Sequence, residues 1–266
     1  MSEFPCDTPI SVSITMGAGT CDVIAEDRDN ASVSVTPHRN DERSREAAEA
    51  TKVDFRDNKL TIRSPEGMAG WLRGRSSAID VTVKIPLGSS VNAKTASAPI
   101  GLHGELEVVS ATTASGEITV EKTAQATVNT ASGDAHVIEC SGEARGNTVS
   151  GDLLIDHAGG DVNAKSVSGD VRIGYAGRSV QGNSVSGDLT VSTVHSGVCK
   201  LRSVSGTVSV GVAPGVGVWM DLNSISGTTS SDLAVGDMPS TAAASLQLHV
   251  NTVSGNIDLF RSQPTS

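Results

Sequence analysis

The residues with the clearest capacity for chemistry are aspartates that recur at a fixed interval of 18 residues. Asp134, Asp152, Asp170 and Asp188 each follow a glycine directly. A row of carboxylates can bind divalent cations, and two carboxylates on one face can hydrolyse glycosidic bonds. The chain lacks the GGxGxDxUx nonapeptide of calcium-binding solenoids, and aspartate is a common turn residue because its side chain bonds nearby backbone. We expect a structural turn role, with cation binding as the alternative.

The sequence contains none of the common catalytic motifs: HExxH, GxSxG, the P-loop and GxGxxG are all missing. Its six histidines occur at unrelated points of the chain, so they predict no metal triad. We therefore expect no catalytic residue, no cofactor and no metal, and hence a protein that is not an enzyme. The alternative is a carbohydrate-active parallel β-helix enzyme, a polysaccharide lyase or hydrolase, acting through carboxylates on one face.

A second candidate site is the loop 64–77, SPEGMAGWLRGRSS. It contains Trp71, Leu72, Arg73 and Arg75, and a tryptophan flanked by arginines is typical of a binding hot spot. We predict a possible partner-binding loop, and the alternative is that this tryptophan covers one end of the core. Trp219 lies in a strand pattern, which predicts a place in the core or along a groove.

The aspartates belong to an internal repeat anchored on glycine, with Ala98 in the anchor slot of a degenerate first copy. Successive anchors up to residue 206 are 17 to 19 residues apart, and the last two steps lengthen to 21 and 28. Serine precedes every anchor, a small or β-branched residue stands two positions before it, and Ser or Thr stands three before it. The anchor glycines are Gly116, Gly133, Gly151, Gly169, Gly187, Gly206, Gly227 and Gly255.

Apolar residues alternate with polar ones after each anchor, as in Val171 and Ile173, which predicts a strand with one buried face. Each unit thus comprises a strand, a tight SGD corner, a second strand and a looser turn. Stacking such units about 4.8 Å apart turns equivalent residues into ladders. The prediction is an all-β, single parallel β-solenoid (β-helix) with about 18 residues per coil. We expect the commoner right-handed form; a β-sandwich, the alternative, would not keep identical columns at a fixed pitch.

The repeat pattern leaves two orientations open for the columns at the corner. Simple alternation predicts that the apolar column two before the anchor faces the core and that the Ser/Thr columns beside it face outward. A kink at the corner would instead turn one hydroxyl column inward as a hydrogen-bonded ladder. Asparagines recur four before the anchor, for example Asn147 and Asn183, and predict either stacked amides or plain surface polarity.

The N-terminal part is less regular. We predict irregular β coils and a cap over 1–90, including the loop 64–77, and regular solenoid repeats over 91–262 as one continuous domain. Five strands are predicted in this part, and residues 40–52 predict its only helix, a short solvated one. The predicted strand segments are ISVSIT, CDVIAE, ASVSVTP, KLTIRS and AIDVTVKIP.

The charge and composition of the chain limit the partners and the compartment that we expect. A net charge of −10 disfavours nucleic acid and anionic membranes. We expect no signal peptide, because the first residues lack a basic region followed by an apolar run, and no membrane span. The four cysteines have no CxxC spacing and are expected to be reduced thiols. The cytoplasm is therefore the predicted compartment, with non-classical export as the alternative.

Copies of S-G-D-[VL]-x-[VI] preceded by N-T/S-[AVI]-S, between residues 10 and 260, resemble the bacterial putative-adhesin family of β-strand-repeat proteins, a domain of unknown function. The resemblance implies the same repeat architecture and brings no catalytic residues. The predicted function is a non-catalytic binding or scaffold protein whose partner is another protein or a cell-envelope component. A self-associating structural element is a further alternative.

Overall fold

The computed structural model describes residues 2–6, 8–65, 77–233 and 245–262. The chain forms two compact units, Met1–Val137 and Ile138–Ser266. The first unit contains β1 (Ser2–Pro5), β2 (Ser11–Met16), β3 (Ala18–Glu26), β4 (Asn30–Pro37), α1 (Glu42–Ala50), β5 (Lys52–Arg56), β6 (Lys59–Arg63), β7 (Ala78–Pro86), β8 (Ser90–Thr95), β9 (Ile100–Thr113) and β10 (Ile118–Thr130).

Strand β11 (Ala135–Cys140) spans the sequence boundary between the units. The second unit contains β12 (Ala144–Thr148), β13 (Leu153–Ala158), β14 (Val162–Ser166), β15 (Val171–Ala176), β16 (Val180–Ser186), β17 (Leu189–Val194), β18 (Gly197–Ser205), β19 (Val208–Val212), β20 (Val218–Ser226), β21 (Thr229–Ser231), β22 (Leu246–Ser254) and β23 (Ile257–Arg261).

The predicted β-solenoid is confirmed. Each repeat is a strand, a corner and a second strand, and equivalent strands of successive repeats pair in parallel. Leu153 pairs with Val171, which pairs with Leu189, which pairs with Val208. All four side chains are buried, so the alternating pattern of the sequence becomes a continuous apolar ladder.

Each regular coil contributes one strand to each of two rows. The pre-corner row of the second unit contains β12, β14, β16, β18, β22 and β20 in spatial order. Its post-corner row contains β13, β15, β17, β19, β23 and β21. Inward side chains of the two rows meet in a core of small and aliphatic residues. Gly146, for example, leaves room that the Leu153 side chain fills.

The coils do not stack in chain order at the C-terminal end. Leu246 of β22 pairs with both Gly197 of β18 and Val218 of β20. The coil β22–β23 therefore lies between two coils that precede it in sequence. Its inward residues, Leu246 and Leu248 among them, are fully buried, whereas Met220 of β20 is only half-buried. The more apolar coil thus occupies the position that is covered on both sides.

The first unit shows the same departure from chain order. Strand β2 pairs in parallel with β6 on one side and β8 on the other, and β3 pairs with β7 and β9. The five predicted strand segments correspond to β2, β3, β4, β6 and β7. Antiparallel pairs, β4 with β7, β1 with β4 and β5 with β6, replace the parallel pattern in this unit's outer coil. The predicted division at residue 90 stays a prediction.

The predicted helix is present as α1. Asp41 caps it, and its Oδ1 accepts a hydrogen bond of 2.7 Å from the backbone N–H of Ser44. This bond lowers the pKa of the Asp41 carboxyl. Within the described ranges, no helix has both the length and the apolar character that crossing a membrane requires.

The preferred orientation of the corner columns is wrong in two respects, and the alternative, one hydrogen-bonded hydroxyl column turned inward, holds. The Ser/Thr column three before the anchor faces inward: Ser166 and Thr148 are buried. The apolar column two before the anchor faces solvent, with Val167 and Val185 44% and 49% exposed. The reason is the residue at which the strand ends. The strand buries every second residue, Val162, Ala164 and Ser166, and the corner begins only after Ser166. The serine directly before the anchor faces outward in the regular coils, as expected.

The four cysteines are buried thiols. Burial raises the pKa of Cys199 to about 12, and burial together with the nearby Asp22 carboxylate does the same for Cys21. Since the thiolate is the reactive form, burial makes both thiols poorly reactive near pH 8 in the folded chain.

We expect Cys21 and Cys199 to resist iodoacetamide near pH 8 in the folded protein and to react readily in concentrated urea. Mass spectrometry of peptides after timed alkylation measures both rates. Equal labelling of either cysteine in the folded and the unfolded chain would contradict its burial.

Candidate functional site

The corner, predicted as a structural ladder, is built around the backbone N–H of the anchor glycine. In each of four coils this N–H donates to the buried hydroxyl three residues earlier. The hydroxyl takes the place of a backbone acceptor, so the tight turn leaves no buried donor unsatisfied. The bonds are Gly116 to Thr113 (2.9 Å), Gly133 to Thr130 (2.9 Å), Gly151 to Thr148 (3.0 Å) and Gly169 to Ser166 (2.9 Å).

The anchor must be glycine chiefly because adjacent coils touch there. A Cβ on Gly169 would lie 2.0 Å from the carbonyl oxygen of Gly151, and one on Gly255 would lie 2.0 Å from that of Gly206. No side chain fits between backbones at that distance. Gly206 also adopts a φ of 138°, which other residues rarely do.

The aspartates after the anchors bind the backbone of the next coil. Asp152 Oδ1 accepts from the N–H of Asp170 at 2.9 Å, and Asp170 Oδ1 accepts from the N–H of Asp188 at the same distance. Asp188 Oδ1 accepts from the N–H of Thr207 at 2.8 Å. Arg172 lies 2.7 Å from Asp170 and 3.6 Å from Asp152, and its charge offsets their repulsion. These bonds join successive coils and not the backbone of the aspartate's own turn, so the aspartates link one coil to the next.

The structure brings no three His, Cys, Asp or Glu side chains together as metal ligands would be, as far as the described residues go. Trp71, Leu72, Arg73 and Arg75 lie outside the described residues. Trp219 is on the outer face of β20, 50% exposed, with its ring centroid 5.0 Å from that of His249. The core alternative for Trp219 is therefore wrong.

Two members of the inward hydroxyl column differ from the rest. Ser203 Oγ and Thr252 Oγ1 are buried and meet no hydrogen-bond partner within the described part of the chain. At these corners the anchor N–H instead donates to the neighbouring coil: Gly206 bonds the carbonyl of Ser254 at 3.3 Å. Ser166 and Ser203 thus occupy the same column and are almost equally buried, with 5% and 4% of their surface exposed. Only Ser166 accepts a hydrogen bond from its anchor glycine.

This pair predicts opposite outcomes for one substitution. Ser166→Ala leaves the buried N–H of Gly169 without its acceptor, and we expect it to lower the free energy of unfolding by about 1–3 kcal/mol. Ser203→Ala removes a hydroxyl that has no partner, and we expect a change within about 0.5 kcal/mol or a gain in stability. Urea titrations of the two variants measure the difference. Equal losses in both would show that the Ser166 bond contributes nothing.

The outward apolar column forms a stripe along the corner of the second unit. Its members lie on adjacent strands, and five strand spacings give a row of about 24 Å. The same column holds alanine in the first unit, at Ala96 and Ala114, so the stripe of large side chains belongs to the second unit. In spatial order this stripe comprises Val149, Val167, Val185, Val204, Val253 and Ile225, which are 44–75% exposed.

A groove of 710 Å³ lies on the outer face of the post-corner row. The rings of His157 and Tyr175 stack at one end, with centroids 4.6 Å apart and planes 10° from parallel, and Phe260 lines the groove as well. Sequence reasoning missed this site, although His157 and Tyr175 are 18 residues apart and hence share a repeat column. Phe260 could not have been placed there, because β23 pairs with β19 out of chain order.

The family model described as Toastrack DUF4097 matches residues 11–265. No curated protein matches the sequence. Among solved structures, the chain is similar to a putative adhesin from Parabacteroides merdae, with 9% identity over 98% of this chain and 95% of that one and a TM-score of 0.46.

Two further solved structures are similar to the chain at lower TM-scores. A putative adhesin from Parabacteroides distasonis has 11% identity over 97% of this chain and 95% of that one, with a TM-score of 0.37. A putative cell adhesion protein from Clostridium sporogenes has 10% identity over 97% and 98%, with a TM-score of 0.24.

Proposed function

We propose that this chain, which belongs to the Toastrack DUF4097 family, is a non-catalytic binding or scaffold protein. It meets a partner protein or a cell-envelope component through an outer face of the solenoid. The observation that carries this proposal is the apolar stripe at the corner of the second unit. Single exposed valines need no explanation, but a contiguous exposed apolar row is typical of a surface that another molecule covers.

The geometry of the stripe suits a protein partner. The strands that end at or beside Val167, Val185, Val204 and Val253 are paired on both sides, as β16 is with β14 and β18. The stripe therefore holds its shape without a partner, and binding orders few side chains, since valine has little rotamer freedom. A column of outward serines, Ser168 and Ser186 among them, runs beside the stripe and provides a polar rim.

We expect the triple variant Val167→Thr, Val185→Thr, Val204→Thr to lose binding to the partner. Threonine keeps the branched shape and the strand preference but adds a hydroxyl to each apolar contact. Because the three sites are about half exposed, each change should alter the free energy of unfolding by no more than about 0.5 kcal/mol. The matched control is Ser168→Ala, Ser186→Ala, Ser205→Ala in the adjacent outward column.

The measurement is quantitative capture from fractionated native cells by the immobilised wild-type, triple-variant and control proteins. A component retained by wild type and control but not by the triple variant is the expected result. Identical capture by all three would remove the stripe as the binding surface. Analytical ultracentrifugation of the same proteins tests self-association, and concentration-dependent assembly lost in the triple variant would make a second copy the partner.

The proposed compartment is the cytoplasm. Four buried thiols in a chain of this size are typical of a reducing compartment. We expect fractionation of native cells, followed by immunodetection, to recover the protein in the cytosol. Recovery in the envelope or the medium would contradict that location and would identify an exported protein whose partner is a surface component.

A further inference from the structure

The groove over the post-corner row holds two of the few aromatic residues of the chain. Only three Phe, two Trp and one Tyr occur in 266 residues, and Tyr175 and Phe260 line this one groove together with His157. We propose that the groove binds a neutral oligosaccharide, held between the Tyr175 and Phe260 rings. This site is separate from the apolar stripe. The proposal of saccharide binding and the proposed function of the stripe can therefore each be wrong without the other.

The floor between the rings carries only small side chains or none. Thr193 of β17 pairs with Tyr175 of β15. Gly211 lies on β19, the next strand of the row, and pairs with Phe260 of β23. A Cβ on Gly211 would lie 2.8 Å from Cε2 of Phe260, so this ring extends over the glycine. Because His157 stacks on one face of Tyr175, the other face of Tyr175 borders the open space above Thr193.

The chemistry of the lining selects a class of ligand. Flat aromatic faces pack against the C–H surface of a pyranose ring, while side-chain hydroxyls and a carboxylate hydrogen-bond its hydroxyls. Ser192, Thr193 and Asp156 supply these polar groups here. Of the described lining residues none is Lys or Arg, and the chain carries a charge of −10, so an anionic polysaccharide or a phosphate is disfavoured.

The backbone of the groove argues against an extended peptide. A peptide that adds to a sheet needs an open strand edge. Strand β15 pairs with β13 and β17, and β17 pairs with β15 and β19, so the strands under the groove have both edges occupied. The ligand must be recognised by side chains alone.

The length of the groove favours several sugar units. Tyr175 and Phe260 are separated by three strand spacings, from β15 through β17 and β19 to β23, which is about 14 Å. A single monosaccharide would contact only one of the two rings. An oligosaccharide contacts both.

Tyr175 is the only tyrosine, so protein labelled with 3-fluorotyrosine gives a single ¹⁹F resonance inside the groove. The titrants are cellotetraose, maltotetraose, mannotetraose and chitotetraose, with tetragalacturonate as the anionic probe and decaproline as the peptide probe. Each is added up to about 10 mM, above the millimolar range of weak specific binding. The variants are Thr193→Arg, which fills the space between the rings, Thr193→Ser as its control, and Phe260→Leu.

We expect at least one neutral tetrasaccharide to shift the resonance saturably in the wild type and in Thr193→Ser. Thr193→Arg should abolish the shift, and Phe260→Leu should weaken binding about 3- to 10-fold, since it removes the flat ring but keeps an apolar side chain. Trp219→Ala and the stripe triple variant should bind as the wild type does.

Three results would overturn the proposal: no saturable shift with any neutral tetrasaccharide, a stronger response to tetragalacturonate or decaproline, or unchanged binding in Thr193→Arg. Thermal unfolding of each variant shows that it is folded. Loss of saccharide binding in the stripe triple variant would also count against two separate sites.

Discussion

The contact of one coil's backbone with the next at the corner is the constraint on which the rest of the structure depends. A Cβ on Gly169 would lie 2.0 Å from the carbonyl oxygen of Gly151, so this anchor cannot carry a side chain while the two coils keep their register. The N–H of the anchor must then find an acceptor. The hydroxyl three residues earlier accepts it in four coils, at 2.9 Å for Gly169, whereas at Gly206 and Gly255 a carbonyl of the neighbouring coil accepts it. The hydroxyl column faces inward in both cases because the strand continues its alternation up to that residue, and the valine column after it faces outward.

The core that this arrangement encloses is thin and made of small residues. Inward positions hold Ala, Val, Leu, Ile and Gly. Because Gly146 has no side chain, the Leu153 side chain of the other row fills the space beside it. A core of this kind can be repeated without aromatic residues, and none of the described Phe, Tyr and Trp side chains is fully buried. The stacked rings of His157 and Tyr175, with Phe260 in the same groove, therefore stand out from the rest of the described residues.

The exchange of coil order near the C-terminus has a consequence for assembly. A solenoid whose coils stack in chain order can grow by adding one neighbour at a time. Here β20 pairs with β22, so its coil reaches its place only once a later segment has been inserted against β18. The exchange also places Phe260 opposite Gly211, and so brings this ring into the groove.

The sequence by itself determined the repeat, the strand–corner–strand unit and the parallel stacking, because ladders of identical residues require a fixed pitch. It also predicted the helix 40–52 and the close approach at glycine. The tertiary structure decided the rest. Whether Val167 or Ser166 faces the core depends on the residue at which the strand ends, and the repeat pattern alone is compatible with both. The neighbours of β22 depend on which coil buries more apolar surface, a comparison between distant segments that local spacing does not contain.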